Sequence, residues 1–348
     1  MVRIEVKKHR LLFRFKAKTS RGIMEFHDIA YLKLFDVKNN LVGIGEIAPI
    51  PNLSKETLDE SLYLLNKLPI EKFDNLQSLQ EWIANQNFLP SSLVFGLETA
   101  IGDIYNGGHF QPFVKNNDLS PIKINGLIWM NNLENMIDDV VKKVNEGFTC
   151  IKFKVGSLKI DEEEKLLEVI REKYPNLIIK VDANGAWSLK QALHILHQWE
   201  KYHIHSVEQP IYTQNWNELK LLCDESPIHV AFDEQLIKKY SEDQKYELLE
   251  YTNPKYLVLK PGLIGGFAET KEWIKIANSL NIKWWITSAL ESNIGLNAIY
   301  RFTVMLNNTE QIHGLGTGNL YSNNWNSPLE VKNGSLVYNQ QKSWMGEI

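Results

Sequence analysis

The sequence predicts an α/β protein: a modified (β/α)8 TIM-like barrel with an α+β capping domain in front of it. Two observations predict it. Five apolar runs (CIKFKV, LIIKVDAN, HSVEQP, HVAFDE and YLVLKP) close on charged groups, at Lys154, Asp182, Glu208, Asp233 and Lys260. Successive groups stand about 25 to 28 residues apart, the length of one strand-helix unit of a barrel. Residues 1–115 lack this rhythm, and a chain of 348 residues accommodates a barrel of roughly 250 residues plus a smaller domain.

In chain order, residues 3–15, 25–36 and 41–47 read as three strands of an antiparallel sheet, with Asn39-Asn40 as a hairpin turn. Ser54-Lys-Glu-Thr57 is a helix-capping region before an apolar helical pattern that runs through Leu65, and a second helix spans residues 91–105. Gly107-Gly108 and the polar stretch 116–120 are the candidate linkers. From residue 116 to 320 the chain reads as the barrel, with eight strands starting near residues 122, 150, 178, 205, 229, 256, 283 and 312. Segments 133–147, 161–174, 188–201 and 268–280 carry apolar residues at three- and four-residue spacing and read as outer helices. The tail, 321–348, contains a hairpin around Asn333-Gly334 and is expected to return to the capping domain.

A net charge of −4 and a pI near 6.2 give no electrostatic footprint for nucleic acid or an anionic membrane surface. Cys150 and Cys223 are the only cysteines, which suits a reducing compartment and excludes a disulfide framework. No stretch approaches the roughly 18 apolar residues of a membrane span, and the amino terminus lacks a secretory signal pattern. The expectation is a cytoplasmic protein with a small-molecule partner, no nucleic-acid or membrane partner, and an oligomer as a possible state.

Parallel barrel strands bring the charged groups to one rim. Asp182, Glu208 and Asp233 would repel one another there unless they surround a cation, and three hard oxygen ligands suit Mg²⁺, with Mn²⁺ as the alternative. Asn184 points the same way as Asp182 and reads either as a ligand contact or as a plain helix cap. Lys152 and Lys154 share one strand face, so both project inward. The reading is that Lys152 and the cation, together with partial burial, lower the pKa of Lys154 and make it a general base. Lys260 faces the pair as a second base or a fixed cation, and Glu234 is placed to pair with it. A cation holding a carboxylate beside a lysine base is arranged to remove the proton on the neighbouring carbon, giving an enediolate.

These residues resemble the enolase superfamily, and within it the muconate-lactonizing subgroup, over essentially the whole chain: an α+β cap, a KxK motif, three acid ligands and a lysine after the sixth strand. Gly43-Ile-Gly-Glu-Ile-Ala-Pro49 with Asn52-Leu-Ser-Lys-Glu-Thr57, Ser91 to Glu98, Ser288-Ala-Leu-Glu-Ser292 and Gly314-Leu-Gly-Thr-Gly318 are similar to signatures of the o-succinylbenzoate synthase family of menaquinone biosynthesis. The resemblance implies Mg²⁺-dependent syn dehydration of 2-succinyl-6-hydroxy-2,4-cyclohexadiene-1-carboxylate to 2-succinylbenzoate. It gives Lys154 both the α-proton and, as an ammonium, the departing hydroxyl, and it makes Lys260 a cation over the ring. Ser288, Glu291, Ser292, Gly314, Gly316 and Thr317 are thereby candidate substrate contacts. Dipeptide epimerases carry Asp-x-Asp at the eighth strand to hold an ammonium, and this chain has none. Cap residues Ser20, Arg21, Gly22 and Met24, and Pro49 to Leu53, are expected on loops over the mouth. The alternative is an N-succinylamino acid racemase using Lys154 and Lys260 on opposite faces.

Overall fold

The structure, a computed structural model, describes residues 2–19, 22–111 and 119–345. The chain opens with a three-stranded antiparallel sheet of β1 (Val2–Thr19), β2 (Gly22–Asp36) and β3 (Leu41–Ile47). The β2–β3 turn is stabilised by Asp36, whose Oδ2 accepts from Asn39 Nδ2, and by Asn40 in the left-handed region at φ 52°. Helices Leu58–Lys67, Leu76–Ala84 and Ser91–Tyr105 cover one face of this sheet, burying Ala30, Leu32, Leu34 and Ile47 against Leu65, Leu79, Leu93 and Leu97. The first helix starts at Thr57 in a full capping box with Glu60. The middle helix, Leu76–Ala84, capped by Asn75, is an element that the sequence reading above does not contain.

Helix Ser91–Tyr105 lies on β3 at backbone contact distance because glycines face it. A Cβ on Gly45 would stand 2.0 Å from the Gly96 carbonyl oxygen, and one on Gly43 would stand 2.0 Å from that of Ala100.

The second sheet is parallel and seven-stranded: β5 (Gly126–Ile128), β6 (Cys150–Lys154), β7 (Ile178–Asp182), β8 (Ser206–Glu208), β9 (Val230–Phe232), β10 (Tyr256–Leu259) and β11 (Lys283–Ile286), hydrogen-bonded in chain order. The eighth strand expected near 312 is reduced to two bridging residues. His313 pairs with Ile124 and Gly314 with Thr287, and amide bonds from Asn125 to the His313 oxygen and from Gly314 to the Ile286 oxygen close the ring. The Gly-rich sequence after His313 explains the shortness, since glycine offers a strand neither side-chain packing nor restricted backbone entropy. The first barrel strand also begins later than expected, at Gly126, because β4 (Ile122–Lys123) pairs antiparallel with the tail.

That tail hairpin is β12 (Leu329–Lys332) and β13 (Ser335–Tyr338), turning through Asn333 at φ 50° and Gly334 at φ 67°, the paired left-handed conformations of a type I′ turn. It packs on the start of the barrel rather than on the first sheet. The stretch just before it reaches β1 instead: Arg14 N donates to the Leu320 oxygen, Ser322 N to that of Leu12, and Leu12 N to Asn323 Oδ1.

Two largely buried carboxylates fasten the first sheet and its helices to the barrel. Glu46 on β3 accepts from the amides of Ser292 (2.8 Å) and Gly295 (2.9 Å) at the start of helix Asn293–Leu306. Glu98 accepts from Phe267 N and, at 3.3 Å, from Ala268 N at the start of helix Gly266–Ser279. Both satisfy amide groups that a helix leaves unpaired. Among the described residues no helix is long and apolar enough to cross a membrane.

The Gly43 and Gly45 contacts give a stability prediction. Gly45→Ala forces its helix outward and lowers unfolding free energy by about 1–3 kcal/mol or more, read as a reduced denaturant midpoint. Ala at Gly107, where a Cβ would meet nothing within 4 Å, removes no packing and serves as the contrast, its cost confined to the backbone at φ 87°.

Candidate active site

The barrel rim is built by strand ends in register. Lys154 pairs with Asp182, and Asp182 with Glu208, across β6, β7 and β8; Asp233 and Lys260 each follow directly on β9 and β10. Asp182, Glu208 and Asp233 are buried, and one oxygen of each lies within 4.8 Å of the others, the one such acid group found among the described residues. Side chains alternate along a strand, so Lys152 and Lys154 enter the same interior. Lys152 Nζ bridges Asp182 (2.8 Å) and Glu208; Lys154 Nζ donates to Asp182 Oδ2 (2.7 Å) and Asn184 Oδ1 (2.8 Å). Lys260 Nζ donates to Asp233 Oδ2 at 2.5 Å.

Glu208 Oε1 and Asp233 Oδ1 are buried and have no hydrogen-bond partner. Buried carboxylate oxygens without donors are costly, and their convergence with Asp182 fits a hard divalent cation held by three oxygens.

Electrostatics separate the two lysines of β6. Burial disfavours the charge on both. At Lys152, contact with Asp182 and Glu208 overcomes burial and raises its pKa above the ordinary lysine value. At Lys154, burial dominates; Asp182 pulls the other way, Lys152 and Lys260 add repulsion, and the pKa falls. The expected order of causes is thus reversed, with desolvation ahead of like charge. Burial also opposes ionisation of Asp182, but Lys152, Lys154 and Lys260 hold it well below the usual carboxylate range. Asp233 has Lys260 beside it, and burial still pushes it up to about 7.

The remaining sequence-predicted residues divide. Asn184, Ser288, Gly314, Gly316 and Thr317 line a cavity of about 320 Å³ above the carboxylates, together with Lys152, Lys154 and Lys260. Ser288 Oγ donates to the Gly314 oxygen and meets Thr317 Oγ1 at 2.9 Å, so these walls brace each other. Glu291 and Ser292 are not among the lining residues. Ser292 is fully buried, caps helix Asn293–Leu306 and binds Glu46. Glu291 turns inward, accepts from Ala289 N at 2.5 Å, and burial pushes its carboxyl up to about 8. The acid is thus spent on the Ala289 amide, and the hydroxyl on the Glu46 carboxylate and the Ile294 amide. Glu234 acts on Lys260 through its charge and also holds Asn184. Its Oε1 accepts from Asn184 Nδ2 at 2.7 Å. From the cap, Gly22, Met24 and 50–53 line the cavity, Pro49 does not, and Ser20 and Arg21 lie outside the described residues.

Sequence reasoning missed Asn125, Leu127, Trp129 and Thr287 on the cavity wall, although 125, 127 and 129 alternate along one strand face. It also missed Gln209. This residue follows Glu208 at φ 38°; its Oε1 accepts from the amides of both Asp233 and Gln235 at 3.0 Å, and its Nε2 donates to the Ile211 oxygen. Its position next to an acid at a strand end was the available signal. Gln209→Leu leaves two buried amides unpaired and frees the Asp233 loop. Divalent-cation affinity measured by calorimetry should fall about 10- to 100-fold while the fold persists by circular dichroism.

Residues 135–342 match the family model described as enolase C-terminal domain-like. The o-succinylbenzoate synthase of Desulfotalea psychrophila is 37% identical over 94% of this chain and 96% of its own. The solved structure of MenC from the same organism superposes with TM-score 0.82 at 34% identity, covering 97% of this chain and 99% of that one. The L-Ala-D/L-Glu epimerase of Bacillus subtilis superposes with TM-score 0.84, covering 97% and 95%; at 18% identity it attests the fold alone. Shared sequence along nearly the full length, on a barrel rim of this composition, places the chain in the o-succinylbenzoate synthase family of the enolase superfamily.

Proposed function

We propose that the protein dehydrates 2-succinyl-6-hydroxy-2,4-cyclohexadiene-1-carboxylate to 2-succinylbenzoate, the step its family carries out in menaquinone biosynthesis. The observation that carries the reading is the asymmetry of the lysines: one amine of lowered pKa, Lys154, between two held as ammonium ions by carboxylates. Asp182, Glu208 and Asp233 are the residues that would hold Mg²⁺, or Mn²⁺ in its place, and the ion supplies Lewis-acid polarisation of the substrate carboxylate when bound.

Lys154 in its neutral form takes the proton from the carbon beside that carboxylate. The same amine, now an ammonium on the same face, returns a proton to the departing hydroxyl, so base and acid are one group and elimination is syn. Asn184 Oδ1 and Asp182 hold Nζ in place between the two transfers. Lys260 stays cationic against Asp233 and balances the negative charge that develops on the substrate. The segment Gly314 to Gly318 carries no acid, so an α-ammonium substrate finds no partner there.

The test is an ultraviolet assay of the purified protein with the hydroxycyclohexadiene substrate. Conversion to succinylbenzoate is expected with Mg²⁺ and is expected to stop with chelator; absence of conversion by folded, metal-loaded protein would refute the reading. Lys154→Ala should lower kcat/KM by at least about 10²- to 10⁴-fold, the contribution of a general base. The pH profile has a definite sign. Only neutral Lys154 abstracts the proton, so kcat/KM rises with pH, and its midpoint lies below the ordinary lysine value because burial lowers that pKa.

A further inference from the structure

His27 sits on β2, does not line the cavity and is 2% exposed. Its ring joins three segments. Nε2 lies 3.1 Å from the Pro49 oxygen, at the base of the cap loop that carries Ile50 to Leu53 into the cavity. Nδ1 lies 3.2 Å from the oxygen of Leu290, in the loop after the seventh barrel strand. The hydroxyl of Tyr321, from the returning tail, donates to that same Leu290 oxygen at 2.6 Å and stands 3.4 Å from Nδ1. Burial pushes the imidazole below its ordinary pKa, so at neutral pH the ring carries one proton and the tyrosine supplies the second. His27 then serves Pro49 and Tyr321 serves Leu290. Asp28 and Tyr321 are the titratable groups that face the ring.

Leu290 is the residue this arrangement holds. Its φ is 65°, a conformation that a leucine rarely adopts and that persists only where surroundings over-determine it. It lines the cavity and packs with Ile50, Leu53, Leu263 and Ala289 into one apolar wall shared by cap and barrel. Without the two donors, the carbonyls of Pro49 and Leu290 would be buried unpaired, and the strained turn would relax away from the cavity.

We propose that His27 is a positioning residue for substrate selection: with Tyr321 it locks the Pro49 loop to Leu290, and the wall so fixed takes the apolar ring of the substrate. This rests on the dehydration reading given above.

The experiment compares wild type, His27→Leu, His27→Gln and Tyr321→Phe for kcat, KM and hydrogen exchange. Gln retains an amide donor on the Pro49 side, and Phe removes only the donor to Leu290. His27→Leu and Tyr321→Phe should each raise KM by about five- to fiftyfold with kcat within about threefold, and His27→Gln should recover most of the loss. Exchange should accelerate in residues 48–54 and 288–295 and stay unchanged in β7. Wild-type KM in Tyr321→Phe, or a fall in kcat at unchanged KM, overturns the proposal; Tyr321→Phe decides alone should the His27 variants not fold. A wild type inactive on the cyclohexadiene sinks the dehydration reading instead, and exchange at the two loops still decides whether His27 and Tyr321 hold them together.

Discussion

Three carboxylates confined to one barrel mouth set the terms for everything around them. With oxygens within 4.8 Å of one another, each like-charged pair costs about 3 kcal/mol at an effective dielectric near 20, so the trio costs roughly 10 kcal/mol, as much as a domain's whole stability. The lysines are the answer within the chain. Lys152 and Lys260 return two standing positive charges to the same layer and Lys154 a third when protonated, each in contact with at least one of the acids. A divalent ion added to that balanced set leaves the mouth net positive, which suits a substrate bearing two carboxylates. The same crowding separates the lysines: Asp182 and Glu208 keep Lys152 charged and Asp233 keeps Lys260 charged, whereas at Lys154 burial and the repulsion of those two ammonium groups outweigh Asp182.

The cap shapes the space above this layer, and its grip on the barrel is polar. Glu46 and Glu98 occupy the amide-rich starts of two successive barrel helices, and Ser292 and Glu291 finish the same joint from the barrel side. Burying acids in this way is tolerable because each takes backbone donors that would otherwise be unpaired. Burial in the joint pushes the carboxyl groups upward, Glu98 to about 7 and Glu291 to about 8.

Much of this was legible in the sequence because it repeats. Strand ends that alternate with helices at a constant interval announce a parallel barrel, and period two fixes which of Lys152, Phe153 and Lys154 enter the interior. What does not repeat was not legible. The eighth strand has two residues, and only pairing with Ile124 and Thr287, distant in sequence, defines it. Ser292 and Glu291 are polar groups in a loop near the mouth, and nothing local says that Glu46, some 246 positions away, claims the serine. Gln209 and His27 act through backbone partners that only the folded chain supplies. Local chemistry names candidate groups; long-range pairing decides which of them remain free for substrate.

The threading of the tail has a consequence for how the protein comes into being. Leu12 near the start of the chain takes its hydrogen bond from a residue 311 positions later, and the barrel's own first segment, Ile122–Lys123, is completed by the final hairpin. During synthesis on a ribosome the ring itself closes once His313 and Gly314 emerge, but the backbone groups of Leu12, Arg14 and Ile122–Lys123 wait for partners until residues 320–338 follow. Loss of the segment 320–338 therefore exposes strand edges in both sheets at once, edges open to pairing with another chain.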